Sequence, residues 1–93
     1  LPISVGDKVN IELNKYPTHS YGVLPGRIAS VSFVPYNKSY AVEVDFPDGL
    51  VTTNRKEIKY EIDMSGRAEI ITSSRSILSR IFAPVYELFS TTE

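Results

Sequence analysis

Cysteine is absent and histidine occurs once, as His19. Neither disulfide staples nor a zinc site of thiolates and imidazoles can be assembled from such a chain. The lack of cysteine leaves the compartment open, since reducing and oxidising surroundings both tolerate it. No run approaches the ~18 apolar residues that span a bilayer, and no basic, apolar, small-residue leader opens the chain. An excess of either charge is missing too: ten Lys and Arg stand against eleven Asp and Glu, a formal charge of −1, with a pI near 5.8. With no positive surplus to neutralise phosphates, nucleic acid is not an expected partner. Glycine-rich phosphate cradles and the G-x-S-x-G nucleophile elbow do not occur, so no cofactor, no metal and no enzymatic activity are expected.

What is present is ordinary globular material. The 93 residues are 42% hydrophobic and 23% charged, enough for one small core, and folding buries about 64% of the extended-chain surface at this size. Between Lys8 and Leu13 the apolar Val9, Ile11 and Leu13 alternate with Lys8, Asn10 and Glu12, which is the period of a half-buried strand. Tyr16-Pro17 then removes a ladder donor. Residues 21–34 are rich in β-branched and small side chains, interrupted by Gly22 and by Pro25-Gly26. A type II turn at residues 24–27 and one long strand with a glycine-marked bend or bulge both fit, and the bent strand is the preferred reading.

Residues 40–46 form the clearest alternation, with Tyr40, Val42, Val44 and Phe46 inward and Glu43 and Asp45 outward, before a Pro47-Asp48-Gly49 turn. Short strands are expected at 50–53, at 58–62 (Ile58, Tyr60 and Ile62 inward) and at 67–72, where Ile70 points inward. About six strands with no intervening helix predict a small antiparallel β-barrel over residues 1–73. The period changes afterwards: Ile77, Leu78, Ile81, Phe82, Val85, Leu88 and Phe89 recur at three-and-four spacing, with Ser73 or Ser74 available as N-cap. A short C-terminal amphipathic helix, kinked at Pro84, is therefore expected in residues 74–93, packed on or beside the barrel.

Few residues suggest chemistry. His19 and Ser20 are neighbours with no third group to orient the imidazole, and Glu43, Asp45 and Asp48 lack calcium-loop spacing. Tyr16, Tyr21, Phe33, Tyr36 and Tyr40 could stack a sugar or a single-stranded nucleic acid, but core packing explains them better without a basic groove. Arg75, Leu78, Ile81, Phe82 and Pro84 on the expected helix are the candidate partner-docking residues, for a protein or a membrane interface.

Several segments, in order, resemble haemolysin-secretion (HlyD-like) periplasmic adaptors, also called membrane fusion proteins. Lys15-Tyr16-Pro17 followed by Tyr21-Gly22-Val23-Leu24-Pro25-Gly26-Arg27-Ile28 resembles the family's aromatic-Pro and Tyr-Gly-x-Leu-x-Gly-x-Val run. Tyr40 to Pro47 is similar to its next strand. Ile62 to Ile70 is similar to its Leu-x-x-Gly-Met segment, although here Met64 precedes Gly66. Thr72 to Phe89 resembles the closing segment. The resemblance spans nearly the whole chain and marks Tyr16, Pro17, Tyr21, Gly22, Gly26, Met64 and Gly66 as structural motif positions.

The resemblance implies a non-enzymatic β-barrel fragment of an adaptor that links an inner-membrane transporter to an outer-membrane channel for secretion or efflux. It further implies a periplasmic protein, anchored in the inner membrane at full length, that self-associates in a ring. The rival reading is a free-standing barrel binding a carbohydrate or peptide. Because the chain begins at Leu1, it reads as a piece of a longer protein, and the family's pattern suggests that a strand upstream of residue 5 is missing. An unpaired edge along residues 1–13, open to dimerisation or swapping, is the corresponding expectation.

Overall fold

The computed structural model describes residues 3–35, 38–59, 64–83 and 86–89. Its elements are β1 (Lys8–Leu13), α1 (Thr18–Tyr21), β2 (Leu24–Val34), β3 (Ser39–Asp45), β4 (Met64–Ile71), β5 (Ser76–Ala83) and β6 (Tyr86–Phe89). All strands belong to one antiparallel sheet, in the order β5-β4-β1-β2-β3-β6, which curls into a half-barrel. The two edge strands follow each other in the chain and touch, which draws the ends of the sheet towards one another.

Strand β1 is the centre. Val9, Ile11 and Leu13 are buried while Asn10 and Glu12 are half-exposed, as its alternation dictates. Lys8, Val9, Asn10 and Ile11 each have a partner in β2 and another in β4. The unpaired edge expected along residues 1–13 is thus already covered on both sides through this stretch. Strand β4 starts three residues earlier than expected and buries Met64, Gly66, Ala68 and Ile70, turning Arg67 and Ile71 outward. Gly66 stands against β1 so closely that a Cβ there would collide with the Glu12 carbonyl; a side chain at this position would push the two central strands apart.

Strand β2 is the long bent strand, and no type II turn forms at Pro25-Gly26. Pro25 and Gly26 pair with Asn10 and Val9. The missing Pro25 donor falls near the strand's beginning, before the β3 ladder starts at Arg27, where its loss disturbs least. The register against β3 slips between Ile28 and Ser30, so Ala29 is an extra residue in a β-bulge. Its effect is to switch parity: Leu24, Gly26 and Ile28 are buried before it, whereas Val31 lies opposite buried Val42 after it, because one inserted residue swaps the two faces. In β3, Val42 is buried, Tyr40, Val44 and Phe46 pack against the core, and Glu43 and Asp45 are exposed. The turn follows with Gly49 N–H donating to the Phe46 carbonyl at 2.9 Å and a Gly49 φ of 79°.

Two expectations require correction. Residues 50–53 and 58–59 are not strands of the sheet. They fold on each other as a miniature hairpin with one bridge, Val51 to Glu57, closed by Thr52 N–H to the Lys56 carbonyl and Ile58 N–H to the Leu50 carbonyl, both 2.9 Å. Ile58 is buried, and Tyr60 and Ile62 lie outside the described residues.

The larger correction concerns the C-terminal helix. Residues 76–83 and 86–89 are strands, in one sheet with the rest. Ile77, Ser79 and Ile81 are buried while Ser76, Leu78 and Arg80 are exposed, which is period two. The helical spacing was produced by Leu78, an apolar residue on the outer face, and masked by Ser79, a polar one on the inner face. Ser79 is accommodated because it stands opposite Ala68, with Ile70 opposite Ile77 and Gly66 opposite Ile81. Ser73 and Ser74 cap no helix. They sit in the β4–β5 hairpin, where the Thr72 hydroxyl donates to the Arg75 carbonyl at 2.8 Å and accepts from Arg75 N–H at 3.1 Å.

Candidate interaction surface

Two regions gather the residues singled out by sequence. The first is a clasp at one end of the sheet. After β1, Pro17 pre-sets the backbone for the single turn of α1, whose end is closed by Gly22 N–H donating to the Thr18 carbonyl at 2.8 Å. Gly22 has a φ of 79°, and a Cβ there would collide with the Thr53 hydroxyl, so both conformation and space require glycine. The following backbone then pairs with the miniature hairpin: Thr53 N–H donates to the Val23 carbonyl at 2.8 Å and Val23 N–H donates to Thr53 Oγ1 at 3.0 Å. Asn54 Nδ2 donates to the Ser20 carbonyl at 3.0 Å.

The tyrosines complete the clasp rather than an open stacking platform. Tyr16 and Tyr21 meet edge to face with ring centroids 4.9 Å apart. The Tyr16 hydroxyl reaches the Lys59 backbone, donating to its carbonyl at 3.2 Å, and Lys56 Nζ lies 5.1 Å from the Tyr21 centroid, within cation–π range. Tyr16, Pro17, Tyr21 and Gly22 therefore converge, and Thr53, Asn54, Lys56 and Lys59 are partners that sequence reading missed. Their one signal was the polar Thr52-Thr53-Asn54 cluster, which β-branched character made look like a strand end. Gly26, Met64 and Gly66 lie elsewhere, in the sheet interior.

The remaining chemical candidates do not assemble. His19 is exposed and Ser20 half-exposed on the single turn of α1. Glu43 accepts a hydrogen bond from Ser30 Oγ at 2.8 Å, and Asp45 and Asp48 are exposed. Among the described residues no group of three or more His, Asp or Glu side chains is placed to hold a metal ion, and no helix is long and apolar enough to cross a membrane. Phe33 and Tyr40 form a pair of their own at the β2–β3 hairpin, 5.3 Å between centroids. Tyr36 lies outside the described residues.

The second region is the outer face of β1, β4 and β5. Glu12, Arg67, Ala68, Glu69 and Leu78 line a shallow depression, with Arg67 Nη2 3.4 Å from Glu12 Oε1. Both side chains are well exposed, so this ion pair contributes about 0–1 kcal/mol. Leu78 is 53% exposed and Ile71 36%, apolar points within a field of mixed charge. Of the proposed docking residues, Arg75 and Leu78 are exposed, on the hairpin and on β5. Ile81 is 1% exposed and is a core residue, because strand alternation sends it inward where a helix would have placed it beside Leu78. The Phe82 side chain and Pro84 are outside the described residues.

Fold and surface define a small curled antiparallel β module with a packed interior, a clasped end and a mixed-charge outer face. No family model matches the chain, and no solved structure matches it. The chain is 27% identical over 90 residues to the plasmid-borne Hemolysin secretion protein D of Escherichia coli. That alignment covers 91% of this chain and 19% of the relative; the chain thus spans about a fifth of the length of the curated protein it matches. The likeness is distant and supports, at a coarse level, a region like those of secretion-type membrane fusion proteins.

Proposed function

We propose that this chain is the β-barrel portion of a periplasmic adaptor, non-enzymatic in itself, which in the full-length protein helps to join an inner-membrane transporter to an outer-membrane channel. The observation that carries the reading is the similarity to Hemolysin secretion protein D along 90 residues, running through the clasp and the sheet alike. The architecture suits the role: a core filled by side chains gives stiffness, and an outer face of alternating charge around Leu78 suits a protein neighbour of complementary pattern. In this reading the copies pack side by side in a ring, each interface being weak alone and strengthened by the number of copies.

The chain contains no cysteine of its own, so Leu78→Cys, introduced in the full-length protein, places one crosslinking thiol on this outer face. In cells it should capture another adaptor copy or the transporter, and disruption of the gene should leave the exported substrate inside while transporter levels hold. Normal export from the disrupted strain would sink the adaptor reading. A saturable rise in the chain's melting temperature on adding an oligosaccharide or peptide would favour a ligand-binding barrel.

A further inference from the structure

Charge is balanced over the chain but not over the sheet. Residues 39–54, which hold β3 and the turn after it, contain the acids Glu43, Asp45 and Asp48 and no cation. Residues 70–86, which hold β5, contain Arg75 and Arg80 and no acid. All five side chains are exposed. Arg80 stands directly opposite Arg67, a like-charge pair that is unfavourable as it stands. The nearby acids do not answer it: Glu12 is taken by Arg67 at 3.4 Å, and among the described residues no ion pair joins Glu69 to Arg80. On the other flank Arg27, opposite Asp45, turns its guanidinium to the Gly6 carbonyl at 3.0 Å, and among the described residues neither Asp45 nor Asp48 has an ion-pair partner.

The register sets the two flanks at matching heights. One row of partners crosses the outer face from Ser76 through Ile71, Lys8 and Arg27 to Asp45, so Arg75 and Asp45 lie at nearly one level. Every pairing between them is antiparallel, hence β5 and β3 run the same way, and Arg80 and Asp48 are displaced from that row in the same direction. Within one chain the flanks are four strand intervals apart, about 19 Å round the curl, too far to pair. Between two copies set side by side without a shift along the strands, arginine meets aspartate at both levels, with exposed Leu78 between. A symmetric contact of β5 with β5 would instead oppose arginines. We infer that the outer flank of β5, with Arg75, Leu78 and Arg80, docks head to tail on the Asp45 and Asp48 flank of a second copy of this chain. The inference deepens the ring reading above and rests on it: a heterologous contact of this kind leaves each copy with one flank to give and one to receive, as a closed ring requires.

Two differently tagged copies of the full-length protein, one with Ser76→Cys and the other with Glu43→Cys, test this when expressed together and treated with a short bismaleimide. A mixed dimer should form that neither variant gives by itself and that the unsubstituted protein does not give. Arg80→Glu in the first copy should lower its yield several-fold, and Asp48→Arg in the second should restore it, a rescue that a merely misfolded variant would not show. Equal crosslinking of Ser76→Cys to itself overturns the inference in favour of a symmetric contact, as does a mixed dimer indifferent to Arg80→Glu or a Ser76→Cys product that contains only the transporter. Absence of the mixed dimer where export depends on the gene also overturns it and leaves the adaptor reading standing. A charge-dependent mixed dimer in a protein whose loss leaves export normal removes the adaptor reading and keeps the contact.

Discussion

The sheet centre and the clasp hold the same molecule together by different means. Around β1 and β4 the side chains are buried to a few per cent, and the strands approach so closely that Gly66 has no room for a Cβ. Around Tyr16 to Val23 the contacts are hydrogen bonds and ring edges at partly exposed positions, most of them to the 52–59 segment. Hydrophobic burial scales with area and is lost in whole side chains, whereas each exposed polar contact trades against water and contributes about 1 kcal/mol. The centre should therefore fail cooperatively and the clasp piecemeal.

Substitutions can break this comparison from the top downward. Truncating Ile81 to Ala should lower unfolding stability by about 2–5 kcal/mol, the range for a large aliphatic core residue, while Leu78→Ala should cost under about 0.5 kcal/mol, as exposed sites do. Denaturant midpoints of the two variants decide between strand and helix here, since a helix would put positions 78 and 81 on one face and make the losses comparable. Gly66→Ala should cost about 3 kcal/mol, at the upper end for overpacking, because the new methyl meets the β1 backbone rather than a movable side chain. Thermal unfolding that leaves this variant at wild-type stability would show that the β1–β4 spacing is looser than described.

Smaller effects belong to the clasp. Gly22→Ala should cost about 2 kcal/mol, near the upper end for an L-residue forced to positive φ, with the Thr53 contact added. Asn54→Ala should cost about 1 kcal/mol for one exposed hydrogen bond. Amide exchange sharpens the contrast: in Asn54→Ala the Thr53 amide should lose protection while those of β1 and β4 keep theirs. Uniform loss across both regions would mean that clasp and centre are a single cooperative unit.

How legible each region was follows from how local its determinants are. Strands β1, β3 and β4 alternate so regularly that Val9, Ile11, Val42 and Ile70 could be placed inward from spacing alone, and the Pro47-Asp48-Gly49 turn carries its own backbone chemistry. The bend in β2 was readable from its glycine and proline, but not the position of the bulge, since Ala29 has no feature of its own and only the pairing with β3 makes it the extra residue. At the clasp the Tyr16-Pro17 and Tyr21-Gly22 pairs stood out, while their partners did not, because Asn54 and Lys59 lie more than thirty residues away and are joined to them only by folding. Helix α1 is a single turn, too short to have a period.

The amino-acid order by itself determined an all-β class, the inward faces of the central strands and the absence of cysteine chemistry, because these depend on composition and on neighbours one or two residues apart. Whether residues 76–83 and 86–89 became helix or strand was decided only by tertiary structure. Their apolar spacing satisfies a helix, yet β4 presents a free ladder whose Gly66, Ala68 and Ile70 complement Ile81, Ser79 and Ile77. A strand's backbone hydrogen bonds come from another segment, so no window of local sequence can declare that the partner is there.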